Sequence, residues 1–547
     1  GGNNTAVGWS ALFNNTTASN TTAVGYQSLY SQSGSGENAA LGAATLKFTT
    51  SGINNTALGT YAALTNTTGS YNVAVGWSAL YSNTTAANNT AVGKNALFSN
   101  TTGSVNTAVG TDALRLNTTA PHNTAVGYKS LDANTTGTLN TALGSNALLL
   151  NTTGDSNTAV GMQALDANTT ADANTAVGYQ SLSSNTTAAN NTAVGYQAGY
   201  TNTTGAVNSA FGLQALYRNT TANNNSAFGA LSLYSNTTGS ENTAVGREAL
   251  TANTTAANNT AVGYRAGYSN TTGVHNIAIG STAMQNTTTG LNNTAVGGAA
   301  LISNTTGNYN TALGRQALYL NTTATANTAM GYLAGDNVTT GANNTFVGAY
   351  CGGATDDGAQ NTAVGMTALN SGNCGNSNTA IGCGALEACT GANNTALGLD
   401  AGTNVTSGGN NLFLGLNAGV TGNPGGNFTT GSNALVIGNV GTSAAHVQVD
   451  WTVASDQRDK TDFTALDLGL NFVKALAPVT YKWDKRANYG DITADDYDLA
   501  AQTPDGTHKE DWLDIGFKAQ EVQALEEAAG YTTAAKKNLT VSTSGDG

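Results

Sequence analysis

Four cysteines, four histidines, two clusters of carboxylates and one Ser–Lys neighbourhood are the groups in this 547-residue chain whose type and spacing could do chemistry. All four cysteines lie between Cys351 and Cys389. Cys374 and Cys389 fall near the same corner of adjacent repeat units, so they could form a disulfide in an oxidising compartment. A zinc site is disfavoured, because there is no C-x-x-C pair and no histidine nearby. His122, His275, His446 and His508 are dispersed, which gives neither a metal cluster nor a Ser-His-Asp arrangement. Asp356 and Asp357 would point to opposite faces of a strand, so they are not the paired carboxylates of a glycosidase. The run Asp491, Asp495, Asp496 and Asp498 lacks calcium-loop spacing and reads as a solvated loop. Ser455 and Lys460 can meet if the chain turns between them. A serine hydroxyl is a weak nucleophile, and a lysine serves as its base only if desolvation or neighbouring cations lower its pKa. Asp456 and Asp459 act in the opposite direction. Taken alone, this stretch reads as a polar turn entering a helix. No pattern calls for a metal or a cofactor.

What must position these groups is a repeat. The glycine of an A-V-G triplet recurs from Gly8 to Gly382 through 22 consecutive intervals of 17 residues, followed by Gly398 and Gly415. With that glycine as position 1, the unit reads G-Y-Q-A-L-Y-S-N-T-T-G-x-N-N-T-A-V. Position 17 is always apolar, position 16 is nearly always Ala, and position 5 is Leu in 17 of 25 coils. Position 2 runs through Trp9, Lys94, Tyr179, Arg247 and Cys383, so it should face solvent or a partner.

Seventeen residues are too few for a helix pair, and Thr, Val, Asn and Gly suit short strands with tight corners. The expectation is a mainly β fold, a parallel β-solenoid or β-roll, burying positions 17 and 5 in a continuous column. Asn should stack over Asn at the corners and fix the register. At roughly 4.8 Å per stacked strand the rod would be on the order of 120 Å long. N-T-T formally matches a glycosylation acceptor, but a corner at fixed phase needs Asn and Thr for its turn chemistry alone. Tyr at positions 2 and 6, as in Tyr26 and Tyr30, could form a sugar-contacting stripe or simple stacked ladders.

Only 9% of residues are charged, far below the roughly one quarter of a typical soluble domain. Of these, 18 acidic and 10 basic residues lie from Asp450 onward, against 13 and 8 before it. No basic patch follows a phosphate backbone, so nucleic-acid binding is not expected. No apolar run approaches the roughly 20 residues of a membrane span, so no membrane insertion is expected either. The chain opens in mid-coil at Gly1 and reads as a fragment.

Three regions are expected. Residues 1–438 form the repeat shaft, whose unit loosens from about Gly331. There Gly335, Gly352, Gly402 and Gly419 replace Leu at position 5, and Phe346 and Phe413 replace Ala at position 16. The cross-section should change at this point, and the overlong unit from Gly415 to Gly438, containing Pro424, should cap the stack. Residues 439–454 form a connecting strand. Residues 455–547 form a small α+β domain: a helix over Thr464–Ala477 with Pro478 beyond it, a strand over Val479–Trp483, an acidic excursion, a strand over Leu513–Phe517 and a helix over Ala519–Ala529.

The N-T-A-V-G-x-x-A-L coil resembles the head repeats of trimeric autotransporter adhesins and of phage tail fibres, which implies a trimeric left-handed β-roll. On that reading the small residues at positions 16 and 1 would allow close approach at a three-fold axis. Three pieces near the C-terminus resemble the self-cleaving intramolecular chaperone of endosialidase-type tailspikes. They are S-D-Q-R-D-K at Ser455 to Lys460, L-A-P-V-T-Y-K-W at Leu476 to Trp483, and I-G-F-K-A-Q-E-V at Ile515 to Val522. The resemblance implies a domain that trimerises the fibre and then cuts itself off once, with Ser455 as nucleophile, Lys460 as base and the bond between Ala454 and Ser455 as the cleavage site. Asp459 departs from the family, which has an apolar residue there. The implied protein is a structural and adhesive shaft of a virion tail fibre or tailspike, a homotrimer meeting a host cell-surface receptor, glycan or protein. The alternative is a bacterial trimeric surface adhesin with the same head.

Overall fold

The computed structural model describes residues 2–34, 36–420, 427–443, 470–484, 501, 503–509, 511 and 513–529. The chain divides into two compact units, Gly1–Ala445 and His446–Gly547.

In the first unit a three-residue strand recurs once per coil, from β1 (Thr5–Val7) to β26 (Leu435–Ile437), and the 26 strands make one sheet. Consecutive strands pair in parallel and in register, with Thr158, Ala159 and Val160 opposite Thr175, Ala176 and Val177. The remainder of each coil consists of turns and bends. Its backbone groups still bond between coils, alternately forward and back: Leu165 N–H donates to Ser181 O at 3.0 Å, and Gln180 N–H to Met162 O at 3.0 Å. Inter-coil bonding therefore satisfies backbone that forms no regular strand, as a tightly stacked chain requires.

The interior is narrow. In the coil from Gly161 the buried residues are Ala164, Leu165, Asn168, Ala171, Asn174 and Ala176, at positions 4, 5, 8, 11, 14 and 16. Leu at position 5 and Ala at positions 4 and 16 form the apolar half. Two Asn columns form the polar half. At position 8, Asn168 Nδ2 donates to Asn151 Oδ1 at 2.8 Å and to Ala171 O at 3.0 Å. At position 14, Asn157 Nδ2 donates to Ala171 O at 2.8 Å, and its Oδ1 accepts from the Asn174 N–H at 3.0 Å. The expected Asn ladders are present, and they are buried within the coil.

The expected burial of position 17 is not observed. Position 16 points inward and position 17 outward: Ala142 is fully buried whereas its neighbour Leu143 is 47% exposed. Strand parity forces the choice, since adjacent side chains face opposite ways. A coil this narrow has room for Leu opposite Ala, not for Leu opposite Val. The three-fold role expected for positions 16 and 1 fails for a related reason. Ala at position 16 packs inside its own chain, and the glycine at position 1 is required by its neighbour. Gly161 has φ near +136°, and a Cβ there would sit 2.4 Å from the Gly178 carbonyl oxygen.

Position 5 also has a left-handed backbone, with φ near +50° in most coils, as in Leu165 at 52°. That conformation costs roughly 1–2 kcal/mol for a residue with a Cβ, less than the about 1.5–3 kcal/mol gained by burying a leucine. Leu is kept for burial, and Gly199 and Gly267 relieve the strain at the cost of that burial.

From Gly331 onward the ladder continues in register to β26, through the 16-residue interval and the overlong unit. The change lies in the core. Phe346 and Phe413 are fully buried at position 16, in space that the position-5 glycines leave free. A Cβ on Gly352 would lie 2.4 Å from the Phe346 ring, and one on Gly419 would lie 2.5 Å from the Phe413 ring. Pro424 lies outside the described residues.

In the second unit, α1 spans Leu470–Ala475, β27 Val479–Tyr481, β28 Asp514–Gly516 and α2 Ala519–Ala528. Both expected strands and the second helix are present. Helix α1 ends two residues earlier than expected. Of the expected connecting strand, residues 439–443 form a turn instead, with the Thr442 N–H donating to Asn439 O at 2.9 Å; its remainder, the residues before Leu470 and most of the acidic excursion lie outside the described residues.

Candidate functional site

Strands β27 and β28 pair antiparallel, with Val479 opposite Gly516, Thr480 opposite Ile515 and Tyr481 opposite Asp514. Two of the three C-terminal motif pieces are therefore hydrogen-bonded to each other across some thirty intervening residues. Tyr481 meets Trp483 edge-on, with ring centroids 5.4 Å apart. Asp484 Oδ2 accepts from the Gly506 N–H at 2.8 Å, and Lys518 pairs with Glu521 at 2.8 Å at the start of α2. Val522 and Glu526 of α2 are buried, whereas Leu470, Val473, Leu513, Ile515 and Phe517 are exposed, Ile515 by 80%. The third motif piece, with Ala454, Ser455 and Lys460, lies outside the described residues, as do His446 and the Asp491–Asp498 run.

In the shaft, Cys374 and Cys389 are free buried thiols. They share a hydrogen bond that pushes the Cys374 thiol up, reinforced by burial, and lowers Cys389 against the effect of burial. Asn378 Nδ2 donates to Cys374 Sγ at 3.1 Å. Cys351 lies apart from the pair, and burial pushes its thiol up to about 12. Among the described residues no group of three or more His, Cys, Asp and Glu could hold a metal ion. His122, His275 and His508 are separate and exposed. Asp356 and Asp357 occupy a bend, not a strand, and both are exposed. Asp356 accepts from the Thr339 hydroxyl of the preceding coil.

The tyrosines form ladders. Tyr200, Tyr217 and Tyr234 stack at 5.2 and 5.1 Å with nearly parallel planes, and Tyr179 stacks on Tyr196 at 5.4 Å. In these ladders each ring face is turned to the next ring, so a sugar, which stacks on ring faces, is offered mainly edges there. The N-T-T asparagines at position 8 are nearly all buried and most are bonded along their column, which closes these to a glycosylating enzyme in the folded coil.

Sequence reasoning missed the charge pairs that join coils. Arg115 and Asp132 pair at 2.8 Å, and Arg265 and Glu248 pair by a second such contact. Each pair is 17 residues apart, and that spacing was the signal that could have found them.

A parallel β-solenoid followed by a small unit with two paired motif strands defines the class. The chaperone-of-endosialidase family model matches residues 455–531, the region holding all three motif pieces. No curated protein and no solved structure matches the chain. Among the described residues no helix is long and apolar enough to cross a membrane.

Proposed function

We propose that the chain is the shaft of a homotrimeric tail fibre or tailspike, a virion protein involved in host attachment, carrying its own assembly chaperone. The chaperone-of-endosialidase match directly after a 26-coil in-register ladder carries this reading. A stack of narrow coils, each touching only its neighbours, is a spacer. The exposed Ile515, Phe517 and Leu470 suit a unit whose task is to bring copies together.

On this reading Ser455 attacks the carbonyl carbon of Ala454 while Lys460, from the same or a neighbouring copy, accepts the hydroxyl proton. Hydrolysis of the resulting ester frees a shaft ending at Ala454 and a chaperone beginning at Ser455. The event occurs once and after assembly. Expression of the complete gene beside S455A and K460A, read by fragment mass and sedimentation, tests it. The wild type should yield a trimeric shaft cut before Ser455, and both variants should remain whole trimers. A wild-type trimer that stays intact, or variants that cut at the same bond, would remove the catalytic roles. An N-terminal virion-attachment segment in the full gene supports the fibre, and a signal peptide would favour the bacterial adhesin.

A further inference from the structure

The outward residues of the strand ladder form a single uninterrupted face. Positions 15 and 17 carry no charged residue in any of the 26 strands, although ion pairs stand at positions 3 and 6 of the same coils. Position 17 is Val, Leu, Ile, Phe or Met throughout, and Leu41, Leu143, Leu313 and Ile437 are 50%, 47%, 43% and 49% exposed. Phe211 stacks on Phe228 within the row at 4.9 Å. The outward position 10 is instead mostly Thr, and position 13 mixes Asn with Glu, His and scattered apolar residues such as Val105 and Leu139.

Twenty-six strands at roughly 4.8 Å, each about 10 Å wide, give a face on the order of 1,000 Å², about half of it the apolar position-17 row. A standard interface needs about 800 Å² per partner, and a soluble monomer rarely leaves a contiguous apolar patch beyond a few hundred Å² bare. Its side chains recur at one coil rise. A globular partner would match that spacing over only a few coils. A copy of this chain, with the same rise, matches it at every coil.

We infer that the position-15 and position-17 face of β1 to β26 is where copies of this chain pack along the shaft, in parallel and coil for coil. The inference rests on the trimeric reading and assigns it a surface different from the Ala and Gly positions, which the fold itself consumes. Thr or Ser at position 15 flanks the apolar residue in 21 of the 26 strands and has a hydroxyl for contacts between copies, while the absence of charge lets identical faces meet without repulsion.

The test uses the full chain with Cys383, the one cysteine that is not fully buried, replaced by alanine. L143C puts a thiol on the proposed face, and T136C puts one at an exposed position 10 as control. Sedimentation gives the oligomeric state, and the rate of maleimide labelling of the native protein, read by mass, gives accessibility. The expected result is a trimer in which L143C labels about tenfold or more slowly than T136C. A trimer in which the two label equally fast would overturn the face assignment and leave the trimeric reading standing. A folded monomer would overturn the trimeric reading, and the inference with it.

Discussion

The coils before Gly331 and those after it share one ladder but fill it with different material. The early coils set Leu at position 5 against Ala at position 16. The coils around Phe346 and Phe413 reverse the sizes, with Gly at position 5 and Phe at position 16. The Asn column at position 8 also lapses there, giving way to the buried Val338, Thr355, Cys389 and Val405. The comparison teaches that the backbone register is fixed by inter-coil hydrogen bonds, while the core tolerates any filling of the right total volume.

The sharpest break of that comparison is at Phe346. F346A should cost about 3–5 kcal/mol in denaturant unfolding, because neighbouring glycines cannot fill the cavity. G352A should be destabilising in the wild type, where its Cβ meets the ring, and much less so in F346A. Additive effects in this double-mutant cycle would show that the Phe and Gly are not coupled.

In the early coils the polar column should matter next. N168A removes two hydrogen bonds that its Nδ2 donates and the one its Oδ1 accepts from Asn185 Nδ2 at 3.2 Å, and leaves the buried Asn151 Oδ1 without that donor, at about 1–3 kcal/mol. T169A on the outer surface, losing one hydroxyl bond at 3.2 Å to Thr186 O, should cost less.

The late thiols sharpen the contrast chemically. Alkylation of the native protein at neutral pH should modify Cys383 and leave Cys351, Cys374 and Cys389 intact until unfolding. Mild oxidation with diamide should join Cys374 to Cys389, seen as one bridged peptide pair in the mass map. A bridge involving Cys351 would contradict the placement.

The smallest effect concerns the Glu248–Arg265 pair. The Arg265 hydrogen bond holds the Glu248 carboxyl below its ordinary value of 4.5, against the effect of burial. A depressed folded pKa stabilises above the unfolded pKa and is lost as pH falls through the folded one. The stability difference between wild type and E248Q should therefore be constant near neutrality and shrink below about pH 4.5. A difference independent of pH down to 3 would contradict the pairing.

The period, the Asn columns and the C-terminal strands and second helix were legible in the sequence, because each rests on local composition at fixed spacing. The inward face was not. Val is more apolar than Ala, so hydrophobicity alone points position 17 to the core, and a one-residue error of parity exchanges the faces. The useful signal was variability. Position 17 runs from Val7 to Phe211 and Met330, whereas position 16 is held at Ala, and departs from it to Phe only where glycines stand at position 5. A fixed volume marks the buried site. Nor was the left-handed backbone at position 5 visible while Leu165 and its equivalents occupied it. Gly199 and Gly267, which look like losses, were the trace of it.

The central claim is that each 17-residue coil is one complete storey whose phase, more than its particular residues, holds the shaft together. Deleting Gly178–Val194 removes one storey, and deleting Gly178–Asn185 removes eight residues and throws every later column out of phase. Thermal unfolding followed by circular dichroism, with rod length from electron microscopy, separates the two. The first variant should keep wild-type stability and shorten the rod by roughly one strand spacing, about 4.8 Å, while the second should lose its ordered stack beyond Val177. Equal tolerance of both deletions would contradict the solenoid.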